Sequence, residues 1–218
     1  HVSAGTQVNA SAPVQVQFIV GTDGTARGHY EVRGFTAVPE DLWDDEYYVP
    51  VGSFSDDRQG DVYLYNPSAT EVLTITWAER GAGGTFTIPA GGTLSYEDGR
   101  GAYLPVDSGV YLRGSRPFWG VASVDTESSF ADWGYSLIPA GYLTNDHTIG
   151  WAPSTVGGNA PGSAVFAAAS QDDTVVFVDY DADGTVDAQV TLDRLQYQKI
   201  EDAEPGSDYD MTGAHIWA

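Results

Sequence analysis

The sequence predicts an all-β protein built as two tandem antiparallel β-sandwich repeats of about 104 residues each. Three observations predict it. Short alternating apolar runs rich in Val, Thr and Tyr are spaced roughly 8–12 residues apart with turn residues between them. The 218 residues include 26 Gly and 11 Pro, which suit many tight turns. No segment holds a helical apolar period for more than about two turns.

The division into repeats comes from landmarks recurring in order. Gly5 and Pro13 match Gly109 and Pro117, each 104 positions on. Gly34 and Pro39 match Gly134 and Pro139, an offset of 100. Thr70 matches Thr174, TLSY at 93–96 matches RLQY at 194–197, and GVYLR at 109–113 matches GAHIW at 213–217. The expected domains are residues 1–104, residues 105–208, and a terminal piece, 209–218. That piece is either the first strand of a truncated third repeat or a strand completing a sheet.

The first repeat reads in order as follows. Gln7–Ile19 is a strand candidate, Gly21–Gly24 a turn and Tyr30–Val38 a second strand. Asp41–Glu46 is a helical turn or loop that anchors Trp43 in the core. Asp61–Tyr65 and Val72–Trp77 flank the turn Asn66-Pro67-Ser68. Gly81–Gly84 is a turn, Thr85–Ile88 and Thr93–Tyr96 follow, and Gly109–Leu112 ends the pattern. The second repeat has the same order.

Composition narrows the partners. Nine Lys and Arg face 31 Asp and Glu, for a formal charge of −22. Such a surface repels nucleic acid and anionic lipid, so neither is an expected partner. There is no cysteine, hence no disulfide and no thiolate site. No apolar run approaches the ~20 residues of a membrane span, so no membrane insertion is expected. The chain starts at His1 rather than Met, which reads as a mature or excised piece of a longer product.

The stretch Val175–Val190, VVFVDYDADGTVDAQV, carries the main candidate site. Asp179, Asp181 and Asp183 occupy positions 1, 3 and 5 of a calcium-loop pattern. Gly184 permits the sharp turn, Thr185 offers its carbonyl and Asp187 stands at position 9. Position 12 is Val190 rather than a bidentate acid, so this is not a complete EF-hand. The expected cofactor is Ca2+, held by Asp179, Asp181, Asp183, Thr185 and Asp187. The alternative is a solvated Asp-Gly hairpin turn. The matching stretch of the first repeat, ERGAGGT at 79–85, carries one acid, Glu79, and none at the aspartate positions.

Other acid clusters read as solvated faces: Asp41 with Asp44 to Glu46, Asp56 and Asp57, Asp172 and Asp173, and the patch Glu201, Asp202, Glu204, Asp208 and Asp210. Asp172 and Asp173 come near the acid loop if the hairpin folds back. Trp43, Tyr47, Tyr48, Trp119, Trp133 and Trp151 serve either as core plugs or as a sugar-stacking platform. The histidines, His1, His29, His147 and His215, have no metal-ligand spacing. No GxSxG, HExxH or phosphate-loop motif is present, so no enzyme is expected.

The motif order resembles the IgGFc-binding-type N-terminal domain family, particularly its bacterial surface-protein relatives. The likeness lies in APVQVQFIVG (12–21), YYVPVG (47–52), DVYLYNPSATEVLTITW (61–77), FTIPAGGTLSY (86–96), WGYSLIPAGYLTNDHTIGWAP (133–153) and VFVDYDADGTVD (176–187). The resemblance implies β-sandwich repeats in secreted or cell-surface proteins, and an extracellular location. The expectation is a non-catalytic structural or adhesive module stiffened by calcium. Its partners are other surface proteins, glycans or copies of itself. The alternatives are a filament or sheath subunit joined by strand exchange, and a carbohydrate-binding module.

Overall fold

The structure, a computed structural model, describes residues 5–20, 33–50, 59–105, 108–125, 133–153, 165–202 and 209–218. The expected turn at 21–24, and Asp56, Asp57, Glu204, Asp208, His1 and His29, lie outside them. The fold is all-β, in antiparallel sheets. Two compact units are distinguished, His1–Tyr142 and Leu143–Ala218. The expected repeat junction at 104/105 lies ahead of a strand that pairs only within the first unit.

That unit contains β1 (Gln17–Val20), β2 (Arg33–Thr36), β3 (Asp44–Val49), β4 (Gln59–Tyr65), β5 (Leu73–Glu79), β6 (Ala82–Ile88), β7 (Thr93–Ser95), α1 (Tyr96–Arg100), β8 (Val110–Asp125) and β9 (Trp133–Ser136). One seven-stranded sheet runs β6-β5-β8-β4-β7, with β3 and β9 also on β8. Alternation places one face inward. Val62 and Leu64 on β4, Leu73 and Ile75 on β5, and Phe86 and Ile88 on β6 enter one core with Tyr47, Tyr96, Leu112 and Phe118.

Strand β8 is the long member, and the sheet bends along it. β3 pairs Glu46 with Arg113 but Asp44 with Phe118, so four residues of β8 bulge out there. Pro117 sits in that bulge, where its missing N–H costs no ladder bond. A Cβ on Gly114 would come within 2.6 Å of both the Arg116 carbonyl and the Phe118 ring, so only glycine fits the corner.

Three local outcomes differ from the expected elements. The Gln7–Ile19 run forms a strand only over Gln17–Val20. The Gly109–Leu112 strand continues to Asp125, because β4 and β9 supply ladder partners beyond the bulge. Tyr96–Arg100 forms one helical turn after β7. Ser95 caps it, accepting the Asp98 N–H at 3.0 Å, and Gly101 ends it at φ 86°.

The second unit contains β10 (Asp146–Thr148), β11 (Val165–Ala168), β12 (Thr174–Asp179), β13 (Ala188–Leu192), β14 (Tyr197–Ile200) and β15 (His215–Trp217). One sheet runs β10-β15-β12-β13, and β11 pairs β14. Val176, Val178, Leu192, Ile200, Met211 and Ile216 form its core.

Pairings of the first unit reappear in the second. Trp77 opposes Leu112 and Gly84, as Val178 opposes Ile216 and Ala188. Tyr65 opposes Thr93, as Ala168 opposes Tyr197. Within the first unit, the 3-10 turns Glu40–Leu42 and Ala140–Tyr142 each follow a proline carbonyl that accepts a bond, from Leu42 to Pro39 and from Tyr142 to Pro139. The β12–β13 connection, residues 180–187, is six residues longer than the β5–β6 connection, residues 80–81, and the acid loop occupies it.

Candidate metal centre

The loop grows out of β12. Val176 and Val178 point into the core, and Asp179 ends the strand with 2% of its surface exposed. Burial of a carboxylate requires donors, and two backbone groups supply them. The Gly184 N–H donates to Asp179 Oδ2 at 2.8 Å and the Asp183 N–H to Oδ1 at 3.2 Å. Gly184 has φ 88°, the left-handed conformation that lets its N–H turn inward. Asp181 Oδ1 also accepts from the Asp183 N–H at 3.2 Å. Asp187 closes the far side, its Oδ2 accepting the Tyr180 N–H at 2.7 Å.

This folding brings one carboxylate oxygen each from Asp179, Asp181 and Asp187 within 4.8 Å of one another. Asp183 is not among the three; its Oδ1 accepts the Thr185 N–H at 2.7 Å. The donor set is all oxygen and all anionic, which fits a hard divalent cation. Both Asp179 oxygens already accept a hydrogen bond, and each carboxylate oxygen keeps a second lone pair for a ligand. Three protein oxygens would leave the remaining positions of a calcium shell to water.

An open cleft of about 450 Å³ adjoins the loop, lined by Tyr180, Asp181, Asp202, Asp210 and Thr212. It joins Asp202 and Asp210 of the acid patch to Asp181, a proximity with no local signature. Asp172 behaves otherwise. It accepts the Arg194 N–H at 2.9 Å, beside the Thr174–Leu192 end of the hairpin, so β12 separates it from Asp179.

The aromatic candidates divide. Tyr47 is fully buried, its hydroxyl donating to the Phe118 carbonyl at 2.6 Å, and burial pushes its pKa up to about 12. Trp43 and Trp119 stack on each other at 6.0 Å, and Trp43 donates to the Val38 carbonyl. Trp133 stacks on Tyr135. Trp151 is 80% exposed. His215 stacks on Trp217 and meets Asp146 at 3.1 Å, while His147 meets the Thr144 carbonyl.

A further titratable group is buried in the first unit. Glu79 accepts from the Tyr96 hydroxyl and from Arg100, each at 2.7 Å, and Arg100 lies over the Trp77 ring. Burial, and then Glu79, drive the Tyr96 hydroxyl well above its ordinary pKa. The trio pins α1 to the β5–β6 turn and satisfies a buried carboxylate. Among the described residues, no helix is long and apolar enough to cross a membrane. No family model matches the chain, and neither does any curated protein or solved structure compared with it.

Proposed function

We propose that this chain is a non-catalytic structural or adhesive β-sandwich module of an extracellular or cell-surface protein. A calcium ion held by Asp179, Asp181 and Asp187, with Asp183 and Thr185 shaping the loop, stiffens its second unit. The observation that carries the proposal is the convergence of three carboxylate oxygens within 4.8 Å around the buried Asp179. Unscreened, they repel one another, and a divalent cation removes that cost. The recurrence of strand pairs supports two copies of one strand plan, of which one acquired the acids. The formal charge of −22 and the likeness to IgGFc-binding-type modules support the surface location.

Thermal melting with calcium and with chelator, at fixed ionic strength, tests the ion. Calcium raises the melting temperature of the parent chain, and Asp181→Ala combined with Asp187→Ala removes the response. An unchanged melting temperature, together with a flat calcium titration by calorimetry, defeats the proposal.

A further inference from the structure

Strand β8 makes a joint inside the first unit that β1 and β11 have the parts to make again. The second half of β8 lies between β9 and β4. Leu137 donates to the Gly120 carbonyl, so by antiparallel alternation Ala122 and Val124 also direct their backbone groups to β9. Val121 and Ser123 direct theirs to β4. The pairing of β1 with β2 has the same register. Gln17 opposes Thr36 and Val20 opposes Arg33, as Val121 opposes Ser136 and Val124 opposes Trp133. Ala37 donates to the Val16 carbonyl, as Leu137 does to Gly120. Gln17 and Ile19 therefore present their N–H and C=O groups away from β2.

On that side β8 has β4. Among the described residues, β1 pairs with β2 alone. The burial follows. Val124 is 1% exposed, whereas its counterpart Val20 is 49% exposed. Strand β11 is the counterpart of β4. It pairs β14 as β4 pairs β7, and Ala169 donates to the Gln196 carbonyl as Asn66 does to Gly92. Ala168 corresponds to Tyr65, which faces Trp119 of β8.

We propose that β1 of one copy adds antiparallel to β11 of a second copy, with Val16 opposite Ala167 and Phe18 opposite Val165. This reproduces the Gly120–Leu64 and Ala122–Val62 pairs of the β8–β4 joint. The interface joins two different strands, so each copy offers one donor strand and one acceptor edge, and copies can add in series. Like charges oppose the approach of two acidic chains, so salt strengthens the association. The inference rests on the structural-module reading and not on the ion. Chelation therefore reports on the calcium site while the joint is read separately.

The cysteine-free chain permits a direct test. A Val16→Cys chain mixed with an Ala167→Cys chain forms a disulfide-linked heterodimer under mild oxidation. Val16→Cys mixed with Ala168→Cys does so far less, because the neighbouring side chain points to the other face. Sedimentation of the parent chain shows mass growing with concentration and salt. Ile19→Pro abolishes that growth and leaves the monomer's melting temperature unchanged, since Ile19 gives no N–H to β2. A parent chain that stays monomeric across the dilution series, or equal cross-linking at 167 and 168, overturns the proposal.

Discussion

The Gly184 N–H reaches Asp179 Oδ2 at 2.8 Å, across the four residues that separate them, and draws the acid loop shut over a buried carboxylate. The loop therefore has a folded form held by backbone donors, and the cation adds to it.

A difference between neighbouring acids follows. Asp179→Ala orphans the inward N–H of Gly184, while the Asp183 N–H keeps Asp181 Oδ1 as acceptor, and costs about 2 kcal/mol without any ion. Asp181 is exposed and its removal relieves like-charge repulsion, so Asp181→Ala changes calcium-free stability by under about 0.5 kcal/mol. Urea denaturation in chelator separates the two. Equal costs would contradict the loop geometry.

Gly184→Ala tests the turn itself. At φ 88° an alanine meets no neighbouring atom but adopts an unfavourable backbone, at about 1–2 kcal/mol. Gly134→Ala fails for another reason. Its Cβ would stand 2.7 Å from the Phe35 ring and 2.8 Å from the Ala122 carbonyl. Overpacking there costs about 1–3 kcal/mol. Truncating the ring in Phe35→Leu should recover part of the Gly134→Ala loss and none of the Gly184→Ala loss, in the same denaturation assay.

Asn66 ties the β4–β5 turn to the end of β6. Its side-chain nitrogen donates to the carbonyls of Glu71, Ile88 and Pro89, and its Oδ1 accepts the Ser68 N–H. Asn66→Ala is expected to cost about 3 kcal/mol. Asn66→Asp is at least as damaging at neutral pH, because a carboxylate then faces three carbonyl oxygens. Acid restores part of the loss by protonating it. A pH series of chemical denaturation checks the order.

Asp61 supplies a pH dependence of known sign. It is 7% exposed, and burial raises its pKa even though Glu97 and Val62 donate to Oδ1. A carboxyl raised in the folded state binds its proton more tightly than the unfolded chain does. Its favourable contribution is complete below the ordinary value of 3.8 and is lost as pH climbs through the folded value. Asp61→Asn keeps an acceptor for the two N–H groups and removes that loss. The variant gains stability over the parent as pH rises above the ordinary value of 3.8. A melting series showing no relative gain would refute the burial effect.

Much was legible in the chain because its signals are local. Alternation in Val62–Tyr65 and Leu73–Trp77, the Asn66-Pro67 turn and the run of alternate aspartates each act within a few residues. Matched landmarks such as Pro39 and Pro139 also marked positions whose turns form the same bond. The single turn of α1 left no period to detect, since five residues span little more than one helical turn. The sequence brings Asp172 near the acid loop only if the hairpin folds back, and the length of β12 sets it at the other end.

The amino-acid sequence by itself determined the all-β class, the order of its strands and the composition of the acid loop. Tertiary structure alone decided that Asp179 is buried, that Asp181 and Asp187 join it while Asp183 does not, and that β8 runs on past its bulge between β4 and β9. The reason is physical. Periodicity and turn chemistry are set by neighbours along the chain. Burial and strand partnership are set by residues far apart, and those contacts exist only once the loops between them have closed.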